Sequence, residues 1–248
     1  MPPKANQCPV RVAASALEPI VVELRRGGIL ESRHLATFVE VDADGSVRAS
    51  RGDPELVTTL RSSAKPLQAL PLFPGPGDDL TDEELAICCA SHTGGERRAA
   101  LVARVLERSG FPPEKLVCGP AGDPPSTLQH GCSGNHAAMV LGAQAMGAPL
   151  DGYHLAEHPV QRRILSILRE VSRAEGVALA GDGCGVPTFG LRLREMARAF
   201  AGLCAAGAAW RRIPEVMGKH ADLMGGAEWI DVRLMQVTHG RVIAKTGA

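Results

Sequence analysis

This chain lacks a charge excess: 27 basic and 27 acidic side chains among 248 residues leave no net charge. A surface that tracks a phosphate backbone needs a basic surplus, so nucleic acid is excluded as the main partner and a small ligand is expected. Aromatic residues are scarce too, with one tyrosine, two tryptophans and five phenylalanines. The core must then be mostly alanine, leucine and valine, and there is no platform for stacking bases. No apolar run reaches membrane-spanning length, and the opening Met1-Pro2-Pro3-Lys4-Ala5-Asn6 lacks the hydrophobic segment of a secretory signal. No membrane partner is expected, and the expected location is cytoplasmic. Seven cysteines are an odd set, and Cys88 and Cys89 are adjacent, poor geometry for a disulfide framework. Reduced thiols follow, with Cys8, Cys88, Cys89, Cys118 and Cys204 expected as small buried hydrophobes.

At 248 residues the chain can bury one sizeable core, and a single domain spanning 1–248 is expected. The first third reads as strands: Ile20-Val21-Val22-Glu23-Leu24, then 35–41, with Asp42-Ala43-Asp44-Gly45 turning the chain into Ser46-Val47-Arg48-Ala49. A helix opens at Ser62 and runs to about Leu72 with Pro66 in its first turn, before Pro74-Gly75-Pro76-Gly77 forces a loop. Thr81 followed by Asp82-Glu83-Glu84 reads as a helix N-cap. Helix-period apolar stripes cover 96–109, 135–146 and 159–173; 188–206 and 213–223 read as helical as well, and 240–245 as a closing strand. This order predicts an α+β fold, an antiparallel sheet flanked by helices, with the last strand paired to the first hairpin.

Chemistry first shows in Ser62-Ser63-Ala64-Lys65. On a helix, serine and lysine three positions apart share a face, so the amine can reach the hydroxyl. A hydroxyl is a weak nucleophile at neutral pH, and a poorly solvated lysine can shed its proton and then accept one from the serine. Amide hydrolysis suits such a pair, although S-x-x-K alone arises by chance in roughly one chain of this size in three or four. Three further segments keep reactive groups among glycines, where backbone can approach a ligand: Cys89-Ala90-Ser91-His92-Thr93-Gly94-Gly95, His130-Gly131-Cys132-Ser133-Gly134-Asn135-His136 and Gly181-Asp182-Gly183-Cys184-Gly185-Val186-Pro187. On their residues alone these stay open. Asp182 reads equally as a turn residue, Ser91 and Thr93 as loop or cap residues, and Cys132 with His136 either as two ligands one helical turn apart or as a buried thiol beside a capped histidine.

Taken in order with the terminal Ala244-Lys245-Thr246-Gly247-Ala248, these segments resemble the bacterial asparaginase II family, the thermolabile rhizobial type of L-asparaginase, over almost the whole chain. The resemblance implies a fold similar to the serine β-lactamases and penicillin-binding proteins. It also implies two Ser-Lys pairs, mapping onto Ser62 with Lys65 and Ser91 with Lys245. Neighbouring ammoniums repel, so at least one lysine pKa should fall toward neutrality. The implied reaction converts L-asparagine to L-aspartate and ammonia through a serine acyl-enzyme, with Ser62 attacking and Lys65 as base, or with the two pairs exchanged. Asp182 maps onto the carboxylate that holds the substrate's α-ammonium. Cys132 and Cys184 map onto two zinc ligands, while Asn135 stands where the family has a ligating lysine. Either His136 or water completes that site, or the metal binds weakly. No organic cofactor is expected. Set against the family the chain reads as C-terminally shortened, which predicts a homodimer covering an unfinished sheet edge. A catalytically silent asparagine- or zinc-binding remnant is the alternative. A third reading, a hydrolase of β-lactams or peptides, is opposed by the lack of an S-D-N triplet.

Overall fold

The computed structural model of the chain describes residues 18–205 and 208–247; Cys8 lies outside them. Five strands come first: β1 (Ile20–Arg26), β2 (Ile29–Ala36), β3 (Phe38–Val41), β4 (Val47–Arg51) and β5 (Val57–Thr59). Six helices follow, α1 (Lys65–Gln68), α2 (Pro76–Asp79), α3 (Asp82–Cys88), α4 (Glu96–Glu107), α5 (Ser133–Ala145) and α6 (Pro159–Ser172). Then come β6 (Ala178–Gly181), β7 (Pro187–Arg192), α7 (Leu193–Ala205), α8 (Ala208–Lys219), α9 (Ala221–Met224) and α10 (Ile230–Val237). The fold is α+β. Among the described residues no helix is long and apolar enough to cross a membrane.

All pairing is antiparallel and falls into three small sheets: β1 with β2, β3 with β4, and β5–β7–β6 with β7 in the centre. The expected turn at 42–45 joins β3 to β4, and there the Asp44 carboxylate accepts the Ser46 N–H at 2.8 Å. The stretch 35–41 is two strands rather than one. Leu35 and Ala36 pair with β1, Phe38 begins the pairing with β4, and Thr37 between them lets the ladder change partner.

Two expectations fail more fully. The span 188–206 begins as strand β7, whose Pro187, Thr188 and Phe189 are buried between β5 and β6, and turns helical only at Leu193. Burial in mid-sheet there outweighs the helical stripe further on. Residues 240–245 form no strand and pair with no hairpin. The chain leaves α10 through His239 and Gly240, both with left-handed backbone (φ 52° and 71°), and passes so close to α8 that a Cβ on Gly218 would lie 2.9 Å from the Gly240 Cα. The Thr246 N–H, which a ladder would have used, is taken by the Asp231 carboxylate at 2.9 Å.

The helix expected from Ser62 is present in pieces: a 3-10 turn (Arg61–Ala64), then α1, then a second 3-10 turn (Leu70–Leu72). Pro66 sits at the start of α1, where a missing N–H costs nothing, whereas Pro71 further on cannot continue the ladder. Leu67, Leu70 and Leu72 from this segment are fully buried with Leu85 and Ile87 of α3, Leu101 of α4, Met139 of α5 and Ile164 of α6. The expected cap on α3 is a capping box: Thr81 Oγ1 accepts the Glu84 N–H (3.2 Å), and the Glu84 carboxylate accepts the Thr81 N–H (3.0 Å). Glu84, nearly inaccessible, also pairs with Arg104 and Arg108, fastening α3 across to α4 and its C-terminal cap.

Candidate active site

Because Lys65 begins α1 directly after the 3-10 turn, its side chain points inward, and it is 3% exposed. Its Nζ donates to Ser91 Oγ and Ala90 O at 2.9 Å each, and reaches Gly131 O at 3.2 Å and Cys132 Sγ at 3.3 Å. Four neighbours for three N–H groups mean that one proton is shared. The lysine therefore bonds Ser91, not Ser62, which was the partner expected from spacing. Ser62 is half-buried on the preceding turn and accepts the Lys65 N–H on its backbone oxygen.

Two loops must converge for one lysine to touch both. The first follows α3, where the Ser91 N–H bonds Met224 O at 3.0 Å; the second leads into α5. They meet because of glycine: a Cβ on Gly131 would stand 2.6 Å from His92 O, and one on Gly134 would collide with the Ile87 carbonyl oxygen. His92 braces the junction. Its Nδ1 accepts the Gly94 N–H (3.1 Å), so the proton lies on Nε2, which faces Ser133 Oγ at 3.0 Å, and that hydroxyl donates to Leu128 O. Burial, then the charges of Lys65, Arg98 and His130, push the His92 pKa down to about 3, so the ring is neutral.

Lys245 arrives from the far end of the chain with a side chain that is 0% exposed. Its Nζ donates to Thr246 O (3.0 Å) and stands 3.9 Å from Asp231 Oδ2. Burial first, and then repulsion from Lys65, bring its pKa down to about 8, against the pull of Asp231, Cys132 and Cys89. The next residues close over the S-x-x-K turn, since a Cβ on Gly247 would lie 2.8 Å from Leu60 O and 3.3 Å from Ser63 Oγ. Lys65 thus bonds Ser91, Lys245 stands near enough to Lys65 for the two charges to repel, and Ser62 shares the turn that delivers Lys65.

Sulfur lines another side of it. Cys132 and Cys184 hydrogen-bond one another, which lowers the Cys132 pKa and raises that of Cys184; the Lys65 charge also favours the Cys132 thiolate. Asn135 points elsewhere, its amide donating to Cys88 O (3.1 Å) and Lys65 O (3.4 Å). His136 Nδ1 meets Tyr153 Oη at 2.7 Å, and its buried Nε2 has no partner among the described residues. No group of three His, Cys, Asp or Glu side chains among the described residues stands ready to hold a metal ion.

Asp182 occupies the turn between β6 and β7. Its N–H bonds Val186 O at 2.9 Å, and its carboxylate accepts the Cys184 N–H at 3.4 Å, so it shapes the hairpin that carries Cys184. A cavity of about 350 Å³ beside this hairpin, lined by His154, Leu155 and Leu179 among others, contains none of the Ser-Lys residues.

A family model for L-asparaginase II matches residues 22–248. The chain belongs to the L-asparaginase II family. No curated protein matches it. Within this L-asparaginase II chain, the sequence pointed to both side chains that hydrogen-bond Lys65 Nζ, Ser91 and Cys132, but not to Asp231 or to the bracing role of His92. Asp231 lies at the start of an amphipathic helix with no glycine near enough to flag it, and an acidic residue in a helix's first turn ordinarily reads as favourable to the dipole. His92 stood inside a quoted motif, and only its burial against Ser133 shows what it does.

Proposed function

We propose that this L-asparaginase II family member hydrolyses L-asparagine to L-aspartate and ammonia with a serine nucleophile unloaded by lysine. The observation that carries the reading is the 2.9 Å bond between Lys65 Nζ and Ser91 Oγ, in a buried cluster that also receives Lys245. The step uses the neutral-amine form of Lys65: Ser91 Oγ attacks the side-chain amide carbon as its proton passes to the lone pair of Lys65 Nζ, which becomes the ammonium. The C–N bond then breaks, ammonia leaves with the proton from Lys65, and water cleaves the β-aspartyl ester to release L-aspartate and restore the serine. Lys245 keeps the second amine at hand. Ser62 is the second nucleophile candidate, supported by its place on the turn that delivers Lys65. Asp182, with one carboxylate oxygen committed to Cys184 N–H, is proposed to hold the α-ammonium through the other.

The β-lactamase-like character of the fold belongs to this proposal, supported by the antiparallel sheet and by S-x-x-K at a helix start. A zinc ion would meet two protein donors here, Cys132 and Cys184. Asn135 is bonded to two carbonyls and His136 to Tyr153, so the donor set does not fit a structural zinc site, and no step is routed through metal. The commitment of Asn135 favours a second reading, asparagine binding without turnover. We further propose a cytoplasmic homodimer. Its support is the β1–β2 ribbon, which leaves Ile20, Val22, Leu24, Ile29 and Leu35 exposed, and a two-stranded ribbon is marginal alone.

The deciding experiment measures ammonia release from L-asparagine by the wild type and by Ser62→Ala and Ser91→Ala, with acid-quenched mass mapping of the acylated serine. An ester on Ser91 supports the main assignment and one on Ser62 the second. Binding by calorimetry with no ammonia released supports the silent reading.

A further inference from the structure

Asp231 is a carboxylate only 2% exposed, at the start of α10. Its Oδ1 accepts the Val232 N–H at 3.0 Å, and its Oδ2 accepts both the N–H and the hydroxyl of Thr246 at 2.9 Å each. The same Oδ2 faces Lys245 Nζ at 3.9 Å. A cavity of about 140 Å³ adjoins the contact, lined by Ile230, Asp231, Leu234, Ala244, Lys245 and Thr246. Residues 243–247 have neither helix nor strand to hold them. Ile243 and Ala244 pack against the core, and the buried carboxylate, which satisfies two donors of Thr246, adds the polar fastening of this segment among the described residues, next to the lysine that must be held.

We propose that Asp231 is a positioning residue of the Ser-Lys site, clamping Thr246 so that Lys245 stays in the buried cluster beside Lys65, and supplying the counter-charge that Lys245 faces. The activity readout rests on the amidohydrolase reading, while the structural readout does not. Around Lys245 the charged and titratable groups are Lys65, Asp231, Cys132 and Cys89; of the acidic ones, Asp231 does most to hold its proton on. Removing the carboxylate leaves the repulsion of Lys65 unopposed from that side.

The full chain contains five lysines, at 4, 65, 115, 219 and 245, so ¹³Cε-lysine labelling gives a spectrum simple enough to follow Lys245 through a pH titration, with Lys245→Met assigning the signal. In Asp231→Asn the Lys245 midpoint should shift by roughly one pH unit or more, downward where the amine stays buried beside Lys65 without its counter-charge and upward where loss of the clamp releases it to solvent. In parallel, kcat for L-asparagine should drop at least about tenfold with KM within about threefold, because a misplaced amine harms the reacting geometry more than binding. A Lys245 midpoint unmoved in folded Asp231→Asn overturns the proposal. Should that variant fail to fold, Thr246→Val removes one clamp bond and leaves the charge. It should lower kcat severalfold without lowering the Lys245 midpoint, and activity within twofold of wild type would reject the clamp. If the wild type releases no ammonia from L-asparagine, the amidohydrolase reading fails, and the Lys245 titration still decides the role of Asp231.

Discussion

Lys245 places an amine where water does not reach, and the molecule should register that in its stability. Its folded pKa of about 8 lies below the ordinary 10.5, so between those values the unfolded chain holds the proton more tightly. The cost, about 3 kcal/mol, is fully present below pH 8 and is relieved as pH rises toward 10.5. Urea unfolding of the wild type should therefore show a stability gain from this group between pH 8 and 10, and the difference from Lys245→Met should shrink across that window. The buried histidines act at the other end. His92 and His136 both have pKa values pushed down to about 3, chiefly by burial, from an ordinary 6.5. Their contribution is whole above pH 6.5 and is lost as pH falls toward 3, at about 1.4 kcal/mol per pH unit for each ring. Between pH 6 and 5 the His136→Gln variant should show a slope shallower by about that amount, measured by urea midpoints. The sequence showed the histidines and the terminal lysine, but not their burial, which alone displaces these titrations.

At the scale of elements, the site depends on how closely α3 and α5 approach. Gly134 faces the Ile87 carbonyl with no room for a methyl group, so Gly134→Ala should cost at least about 3 kcal/mol, or prevent folding, in chemical denaturation. The α3 cap is a milder test: Thr81→Ala removes a hydroxyl bonded to the Glu84 N–H and should cost about 1 kcal/mol. Helices α3 to α6 and the 42–45 turn were legible beforehand because stripes, caps and turn residues are local signals. β5 and β6 were not, and β7 was taken for helix. Strands of 3, 4 and 6 residues carry little periodic information, and burial on a central position is a property of neighbours that the local pattern does not contain.

For the whole molecule, the ligand should act as a clasp. The polar cluster joins the turn 61–64, the loop after α3, the entrance to α5 and the segment 245–247, so a ligand seated there links parts distant in the chain. In Ser62→Ala/Ser91→Ala, which lacks both proposed nucleophiles, L-asparagine at about a hundred times its Kd should stabilise the fold by roughly 2.7 kcal/mol. Succinamate, which lacks the α-ammonium, should raise the melting temperature far less if Asp182 recognises that group. By itself the sequence determined which reactive residues exist, their seating among glycines, and the balance of 27 basic against 27 acidic side chains, because composition and local spacing are written along the chain. Tertiary structure decided the pairings. That Lys65 bonds Ser91 across 26 positions, that Asp231 bonds Thr246 beside Lys245, and that 240–245 runs over helices rather than along a sheet all depend on which groups are brought together out of water, and no short-range pattern encodes that.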